Sequence, residues 1–142
     1  MKEIALIFSL LLLFCSCDLS SPEEASEGEI ENAFQAIELS FNLDHIEDIM
    51  QYYNQNYLHN DDDIDDVRRD WEIRLNDFQG MEISDLDIDL DGDKATVSFI
   101  LKFLNNGEIV QEYNEPDDNG DISYWELETN GWEISGNRNN GW

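Results

Sequence analysis

Oxygen-bearing side chains recur between Glu115 and Glu126 at the spacing of a calcium-binding loop. The candidate ligands are Glu115, Asp117, Asn119, Asp121 through its carbonyl, and Glu126. Such oxygens are the ligands that calcium prefers, and Gly120 stands where the loop would turn sharply. The Asn-Gly pairs at 106–107 and 130–131 predict chain reversals instead of flanking helices, which excludes an EF-hand proper. An isolated calcium loop and a polar hairpin loop with a glycine turn both stay open.

His45 and His59 are the two imidazoles of the chain. They are too far apart to share one helical turn as a zinc-binding pair does, and the isolated glycines form no phosphate-cradling loop. No serine–histidine–acid arrangement is recognisable either. His45 falls in the first turn of a predicted helix, where an exposed polar residue is ordinary. His59, with Asp61 close by, is therefore the better candidate for acid–base chemistry, and no cofactor is expected apart from the calcium ion considered above.

The charge of the chain is strongly negative, with 34 Asp and Glu against 7 Lys and Arg and a net charge of −27. This charge repels phosphate backbones, so nucleic acid is excluded as a partner. Large apolar and aromatic residues are spread from Ile30 to Trp132, which predicts one folded domain rather than a disordered acidic chain. The carboxylates either form a solvated surface or attract cations or basic partners, and composition does not separate these alternatives.

The N-terminus has the pattern of an export signal. An apolar run from Ile4 to Phe14 is too short to cross a bilayer, but it suits a signal peptide. The following Cys15-Ser16-Cys17 resembles a bacterial lipobox, in which a small residue precedes the lipidated cysteine. We therefore expect a signal peptide over 1–16, a membrane anchor at Cys17, an acidic tether over 17–28 and a place in the bacterial cell envelope. Which membrane is reached stays open, and a plain secretory signal or a buried N-terminal helix are the alternatives.

Apolar residues at helical spacing predict three helices before any strand. The first runs from about Glu29 to Phe41, and the second begins after a capping Asp44 and continues through Tyr53 and Tyr57. The third is expected between the aspartates at 61–66 and Gly80, with those aspartates acting as caps and helix-dipole partners.

After Gly80 the apolar period changes to two, which predicts strands. Leu86, Ile88 and Leu90 alternate with aspartates, Asp91-Gly92 turns the chain, and a second strand follows from Ala95. Further reversals bring the total to about five antiparallel strands. Helices followed by strands predict the α+β class, with three N-terminal helices packed on a curved antiparallel sheet.

The order and several phrases from residue 29 to 138 resemble the nuclear transport factor 2-like, or SnoaL-like, cone fold, leaving 139–142 as a polar tail. The phrases are Phe41-Asn42-Leu43-Asp44, Tyr53 to His59, Asp91 to Val97 and Gly131 to Asn137. The resemblance implies a cystatin-like cone with His59 directed into it and Tyr57, Trp71 and Trp125 as ligand-pocket walls. It places Asp61 near the general base of ketosteroid isomerase. However, Ala36 stands where that enzyme has the tyrosine that stabilises the oxyanion, a large loss for such chemistry.

The expected function is therefore a non-catalytic, envelope-anchored binding or interaction module, whose ligand or partner protein is unknown. The alternatives are a small-molecule enzyme of isomerase or hydrolase type that uses His59 or Asp61, and a calcium-binding acidic lipoprotein. Fold resemblance alone does not decide among them, because this fold carries both enzymes and binding modules.

Overall fold

The computed structural model describes residues 21–138, an α+β arrangement of helices and a curved antiparallel sheet. In chain order the elements are α1 Pro22–Asn42, α2 Ile46–Met50, β1 Leu58–His59, β2 Asp62–Asp63, α3 Ile64–Asp77, β3 Gly80–Asp91, β4 Lys94–Asn105, β5 Glu108–Glu115, β6 Tyr124–Glu128 and β7 Gly131–Ile134. The predicted signal peptide 1–16, the anchor at Cys17 and the tail 139–142 lie outside the described residues. None of the helices within 21–138 is both long and apolar enough to span a bilayer.

Helix α1 begins at Pro22, earlier than the expected Glu29, so most of the segment assigned to an acidic tether over 17–28 is helical. The Ser21 hydroxyl accepts a hydrogen bond from the Glu24 N–H, and the Glu24 carboxylate accepts one from the Ser21 N–H. This capping box and the proline in the first turn start a helix without any apolar periodicity. The predicted apolar stripe from Ile30 to Phe41 is buried, as expected.

Helix α2 is much shorter than predicted, because it ends at Met50. The chain then turns to meet the last strand: the Asn54 N–H donates to the Ile134 carbonyl, and the Ile134 N–H donates to the Tyr52 carbonyl. These long-range bonds replace the helical ones that Tyr53 and Asn54 would need. Asp44 does not cap this helix, since it has a positive φ of 60° and the N-cap position belongs to His45, which makes no side-chain cap bond.

A two-stranded ribbon, β1 paired with β2, lies between α2 and α3, so the three helices do not all precede the strands. Sequence patterning missed it because each strand has only two residues. The chain leaves β2 directly into α3, where the Asp63 carboxylate accepts hydrogen bonds from the N–H groups of Asp65 and Asp66. Helix α3 ends at Asp77, and Gly80 already belongs to β3.

The cap at Asp63 gives a direct test of how much one aspartate of this acidic segment contributes. We expect Asp63→Ala to lower the free energy of unfolding by about 1 kcal/mol, because it leaves N–H groups in the first turn of α3 without an acceptor. Urea denaturation followed by circular dichroism measures the effect. Asp62→Ala removes the same charge one residue earlier and should change little, and equal losses for the two variants would show that charge, rather than capping, is what matters.

The predicted number of strands in the main sheet is confirmed: five strands pair antiparallel. β3 is the outer strand on one side of β4. β5 and β6 both pair with the other edge of β4, β5 along Phe99–Asn105 and β6 along Lys94–Thr96, and β7 follows β6. The loop 116–123 thus leaves the sheet and returns to the same edge of β4.

The core lies between the helices and the inner face of β4, where alternate residues from Ala95 to Phe103 are buried. Aromatic rings join the two layers. Phe34 of α1 contacts Phe99 with ring centroids 4.9 Å apart, and Phe41 contacts Phe103 at 5.5 Å. Residues directly opposite on neighbouring antiparallel strands share a face, so Glu115, opposite Phe99, also points toward this core.

Candidate functional site

His59 lies in β1 with only 5% of its surface exposed. Its Nδ1 faces the N–H of Asn137 at 3.3 Å, and its Nε2 lies 2.7 Å from the carbonyl oxygen of Asn119 and 2.9 Å from the Asn60 side-chain nitrogen. Since Nδ1 accepts from a backbone N–H, the imidazole proton belongs on Nε2, where it is donated to the Asn119 carbonyl. The ring therefore ties the ribbon to the loop 116–123 and to the C-terminal segment.

Asp61 lies at the exposed turn between β1 and β2, with a positive φ of 74°. A carboxylate that removes a proton from a bound substrate must lie within hydrogen-bond reach of it. None of five surface clefts described on residues 21–138 is lined by Asp61 or His59.

The three aromatic residues expected to wall a pocket lie in the packed core. Trp71 and Trp125 are fully buried and Tyr57 is 3% exposed. The Trp71 indole N–H donates to the Tyr53 hydroxyl at 2.8 Å, and the rings of Tyr53 and Tyr57 are 5.2 Å apart. Trp125 lies in another part of the core, against Phe34. The cone interior at these positions is filled by side chains that contact one another.

Arg74 of α3 enters this interior, a position that the sequence interpretation missed. Its guanidinium lies over the Trp71 ring at 4.7 Å and is 2.7 Å from the Asp121 carboxylate, with side chains only 15% and 12% exposed. The contact is an ion pair rather than a well-aligned hydrogen bond. Burial is the largest single influence on the pKa of Arg74 and lowers it, but the Asp121 carboxylate and the nearby Tyr53 and Asp70 together outweigh burial, so the pKa is raised. Spacing in the sequence could have indicated this position, because Arg74 follows Trp71 by three residues and so lies on the same inner face of the helix.

Glu115 lies beside this ion pair at the end of β5 and is 4% exposed. One carboxylate oxygen accepts hydrogen bonds from the N–H groups of Asn119 and Gly120, which holds the middle of the loop 116–123 against the end of β5. The other oxygen has no hydrogen-bond partner within the described chain. Burial raises the pKa of Glu115 and the charge of Asp121 adds to this, against the opposing effect of the two N–H donors.

The raised pKa of Glu115 predicts a pH-dependent effect of its removal. A carboxyl with a raised folded-state pKa contributes stability that is fully present below its ordinary pKa and is lost as the pH rises through the folded value. Near neutral pH the ionised carboxylate is therefore a cost, and Glu115→Gln should raise the free energy of unfolding, since glutamine keeps an oxygen for the Asn119 and Gly120 donors. The increase in the free energy of unfolding over wild type should shrink as the pH falls from about 7 to about 4.

Urea denaturation of wild type and Glu115→Gln across this pH range measures that effect. Glu108→Gln, on the exposed outer part of β5, is the matched control for removing one negative charge from a highly acidic protein. The same pH profile for both variants would mean that general charge repulsion, rather than burial of Glu115, sets the dependence.

Three of the candidate calcium ligands, Glu115, Asp121 and Glu126, have other partners in the structure. Besides the Glu115 and Asp121 contacts above, the Glu126 carboxylate pairs with Arg138 at 2.5 Å, and Asp117 is exposed. Within residues 21–138, no group of three or more His, Cys, Asp or Glu side chains is placed to hold a metal ion. The calcium loop stays a prediction of the sequence.

A calcium site at this loop, lacking supporting helices, would bind on the order of 0.1–1 mM. Calorimetric titration of wild type against Glu126→Gln, with magnesium as the control ion, tests it. Because Glu126 is paired with Arg138, we expect equal heats for the two proteins. A calcium-selective heat that Glu126→Gln abolishes would instead establish the site.

A line of clefts follows the seam between α1 and β3. A cleft of about 440 Å³ lies beside Glu38, Asn42 and Met81, and the next, of about 320 Å³, lies beside Glu31, Glu38 and Ile83. A third, of about 190 Å³, lies beside Glu27, Glu31 and Asp87. Neighbouring clefts share lining residues, so the three form one groove, named here the seam groove.

The comparisons with known proteins establish the fold class. The sequence matches no protein-family model, and no curated protein resembles it significantly. The structure is similar to a protein of unknown function with a cystatin-like fold from Nostoc punctiforme (TM-score 0.60, 13% identity, 78% of this chain and 86% of that one). It is also similar to an NTF2-like protein of unknown function from Pseudomonas putida (TM-score 0.60, 13% identity, 79% of this chain and 83% of that one). A third similar structure is a candidate scytalone dehydratase from Novosphingobium aromaticivorans (TM-score 0.56, 13% identity, 80% of this chain and 82% of that one).

The described chain therefore has the NTF2-like, cystatin-like cone fold that the sequence phrases resembled. At identities of this size the likeness establishes the fold and no activity, and the neighbours themselves include both proteins of unknown function and candidate enzymes.

Proposed function

We propose that this chain is a non-catalytic, cone-fold binding module of the bacterial cell envelope, anchored through a lipid on Cys17. The observation that carries the non-catalytic part is the occupied interior of the cone. Trp71 and Trp125 are fully buried there, and both ring nitrogens of His59 face backbone groups of the protein. A small-molecule enzyme of this fold needs a cavity lined by its acid–base groups.

The position of the clefts supports binding at the surface. The seam groove runs along the outside of the cone, where a partner can reach it without any rearrangement of the core. The competing function is an isomerase-type or hydrolase-type enzyme that uses His59 or Asp61. The observation that supports it is the structural similarity to a candidate scytalone dehydratase.

The experiment that separates the two functions uses the tagged full chain in its native membrane. We expect affinity capture to retain a specific partner equally with wild type and with Asp61→Asn, and we expect no turnover in a screen of small ketones and esters. Asn tolerates the positive φ of residue 61, so this variant changes the carboxylate without disturbing the turn. Turnover by the wild type that Asp61→Asn abolishes would replace the binding module by an enzyme.

The anchor is tested by metabolic labelling with an alkynyl fatty acid. The wild type and Cys15→Ala should both carry the label, and Cys17→Ala should carry none, because only Cys17 follows a small residue in the lipobox-like phrase. Label retained by Cys17→Ala would contradict the assignment, and so would an unlabelled wild type. Stable attachment takes more than one acyl chain, at roughly 0.8 kcal/mol per buried methylene.

A further inference from the structure

β3 is the outermost strand of the sheet, and α1 closes only part of its free edge. The Asn42 side chain bonds both the N–H and the carbonyl of Met81, at 2.8 and 3.0 Å, and the Glu38 carboxylate accepts from the Ile83 N–H at 2.8 Å. The pairing of β3 with β4 shifts register between Ser84 and Asp87. Beyond that shift, the described part of α1 makes no hydrogen bond to the free edge of β3. The backbone N–H and carbonyl groups of β3 there are open to another strand.

The seam groove lies along this edge and has two kinds of lining. Half-buried apolar side chains form its floor, among them Ile83, Leu86 and Ile88. Carboxylates form its rim, and none of the described residues that line the three clefts is Lys or Arg. The acidic lining residues are Glu27, Glu31, Glu38, Glu82, Asp85 and Asp87.

We propose that the seam groove binds an extended, Lys/Arg-rich segment of a partner protein, which adds as a strand to the edge of β3 beyond Ser84. Its backbone pairs with the open edge, its apolar side chains contact the floor, and its cationic side chains face the rim carboxylates. This inference rests on the proposed binding function and names the chemistry of the partner.

Charge complementarity decides among the possible occupants. A second copy of this chain would bring the same carboxylates against one another, since both edges carry aspartates at alternate positions, and like charges across an interface are costly. The chain's own residues 139–142 carry no positive charge to offer to the rim. A basic partner segment satisfies both the backbone edge and the carboxylates.

The test uses fluorescence anisotropy with the full chain in nonionic detergent and a labelled peptide of about eight residues that alternates lysine and valine. In about 0.15 M salt we expect Glu31→Gln/Asp87→Asn to raise the dissociation constant about fivefold. Glu108→Gln/Glu112→Gln removes two charges from β5, across β4 from the groove, and should raise it less than about twofold. Equal losses for the two double variants would overturn the proposal in favour of general polyanion attraction.

Edge pairing needs its own control. The same peptide with N-methyl groups at alternate residues keeps its charge but loses backbone donors, and we expect it to bind about tenfold more weakly. Equal binding of both peptides would overturn strand addition. A chain that is already a dimer and dissociates as peptide binds would overturn the choice of occupant, because a second copy would then hold this interface. If the peptide does not bind, the seam groove is not the site. A partner captured from the membrane would still support the binding module, so failure of this inference is distinguishable from failure of the proposed function.

Discussion

We expect Arg74→Met to lower the free energy of unfolding by about 3 kcal/mol, because the substitution leaves the buried Asp121 carboxylate without its counterion. Asp121 would then lie in the core beside Glu115, whose carboxylate already has one oxygen without a partner. Methionine is of similar length and fills much of the space that Arg74 occupies beside Trp71, so lost packing is a minor part of the effect. Urea denaturation at neutral pH measures the loss.

Two variants show whether the loss comes from the buried charge. Arg69→Met removes an arginine that pairs with Asp66 on the exposed face of the same helix and should leave stability nearly unchanged. Arg74→Met/Asp121→Asn removes both charges and should recover a large part of the loss, since a neutral amide is cheaper to bury than an unpaired carboxylate. No recovery in the double variant would mean that the loss arises from packing.

The main sheet was predictable because its signals are local and repeated. Period-two alternation in β3 and β4 and the glycine turns between strands specify hairpins without reference to the rest of the chain. The buried face of α1 was predictable for the same reason. Its start was not, because Ser21, Pro22 and Glu24 signal a helix through capping chemistry while the apolar periodicity only begins at Ile30.

The interior of the cone could not be predicted, because its contacts join residues far apart in the chain. Helix α2 stops where the chain bonds to Ile134, a partner more than eighty residues later. The pairing of Arg74 with Asp121 likewise depends on the loop 116–123 returning to β4. The sequence offers His59 as a candidate for acid–base chemistry, but it gives no information on the backbone groups of Asn119 and Asn137 that surround the ring.

Buried carboxylates and those of the seam groove have different surroundings in the structure. The carboxylates that enter the core are held individually, Asp121 by Arg74 and Glu115 by backbone N–H groups. Those of the seam groove have no positive side chain among the described lining residues. One buried carboxylate thus has an arginine as its counterion, whereas the carboxylates along the seam groove have no positive lining residue beside them, which is the arrangement expected of a surface that attracts cationic partners.

Gly136→Ala is expected to lower the free energy of unfolding by about 3 kcal/mol, through two separate causes. Gly136 has a positive φ of 73°, a conformation that costs an alanine roughly 1 kcal/mol. An added Cβ would also lie 2.8 Å from the carbonyl carbon of Leu58 and 2.9 Å from the Cβ of His59, and closer still to the Leu58 oxygen. Such overlap adds about 2 kcal/mol unless the backbone moves.

The Leu58 backbone cannot move freely to relieve this clash. Its N–H donates to the Ser135 carbonyl at 3.1 Å, and its carbonyl accepts from the Arg138 N–H at 2.8 Å, so a shift would break the contact of β1 with the C-terminal segment. Gly107→Ala is the matched control, because Gly107 has a similar φ of 77° but open space where the Cβ would lie. It should lose only about 1 kcal/mol. Hydrogen exchange at the Asn137 amide, which donates to His59, should quicken in Gly136→Ala and not in Gly107→Ala. Equal stability losses and unchanged exchange in both variants would mean that β1 is free to shift and that His59 does not fix the C-terminal segment in place.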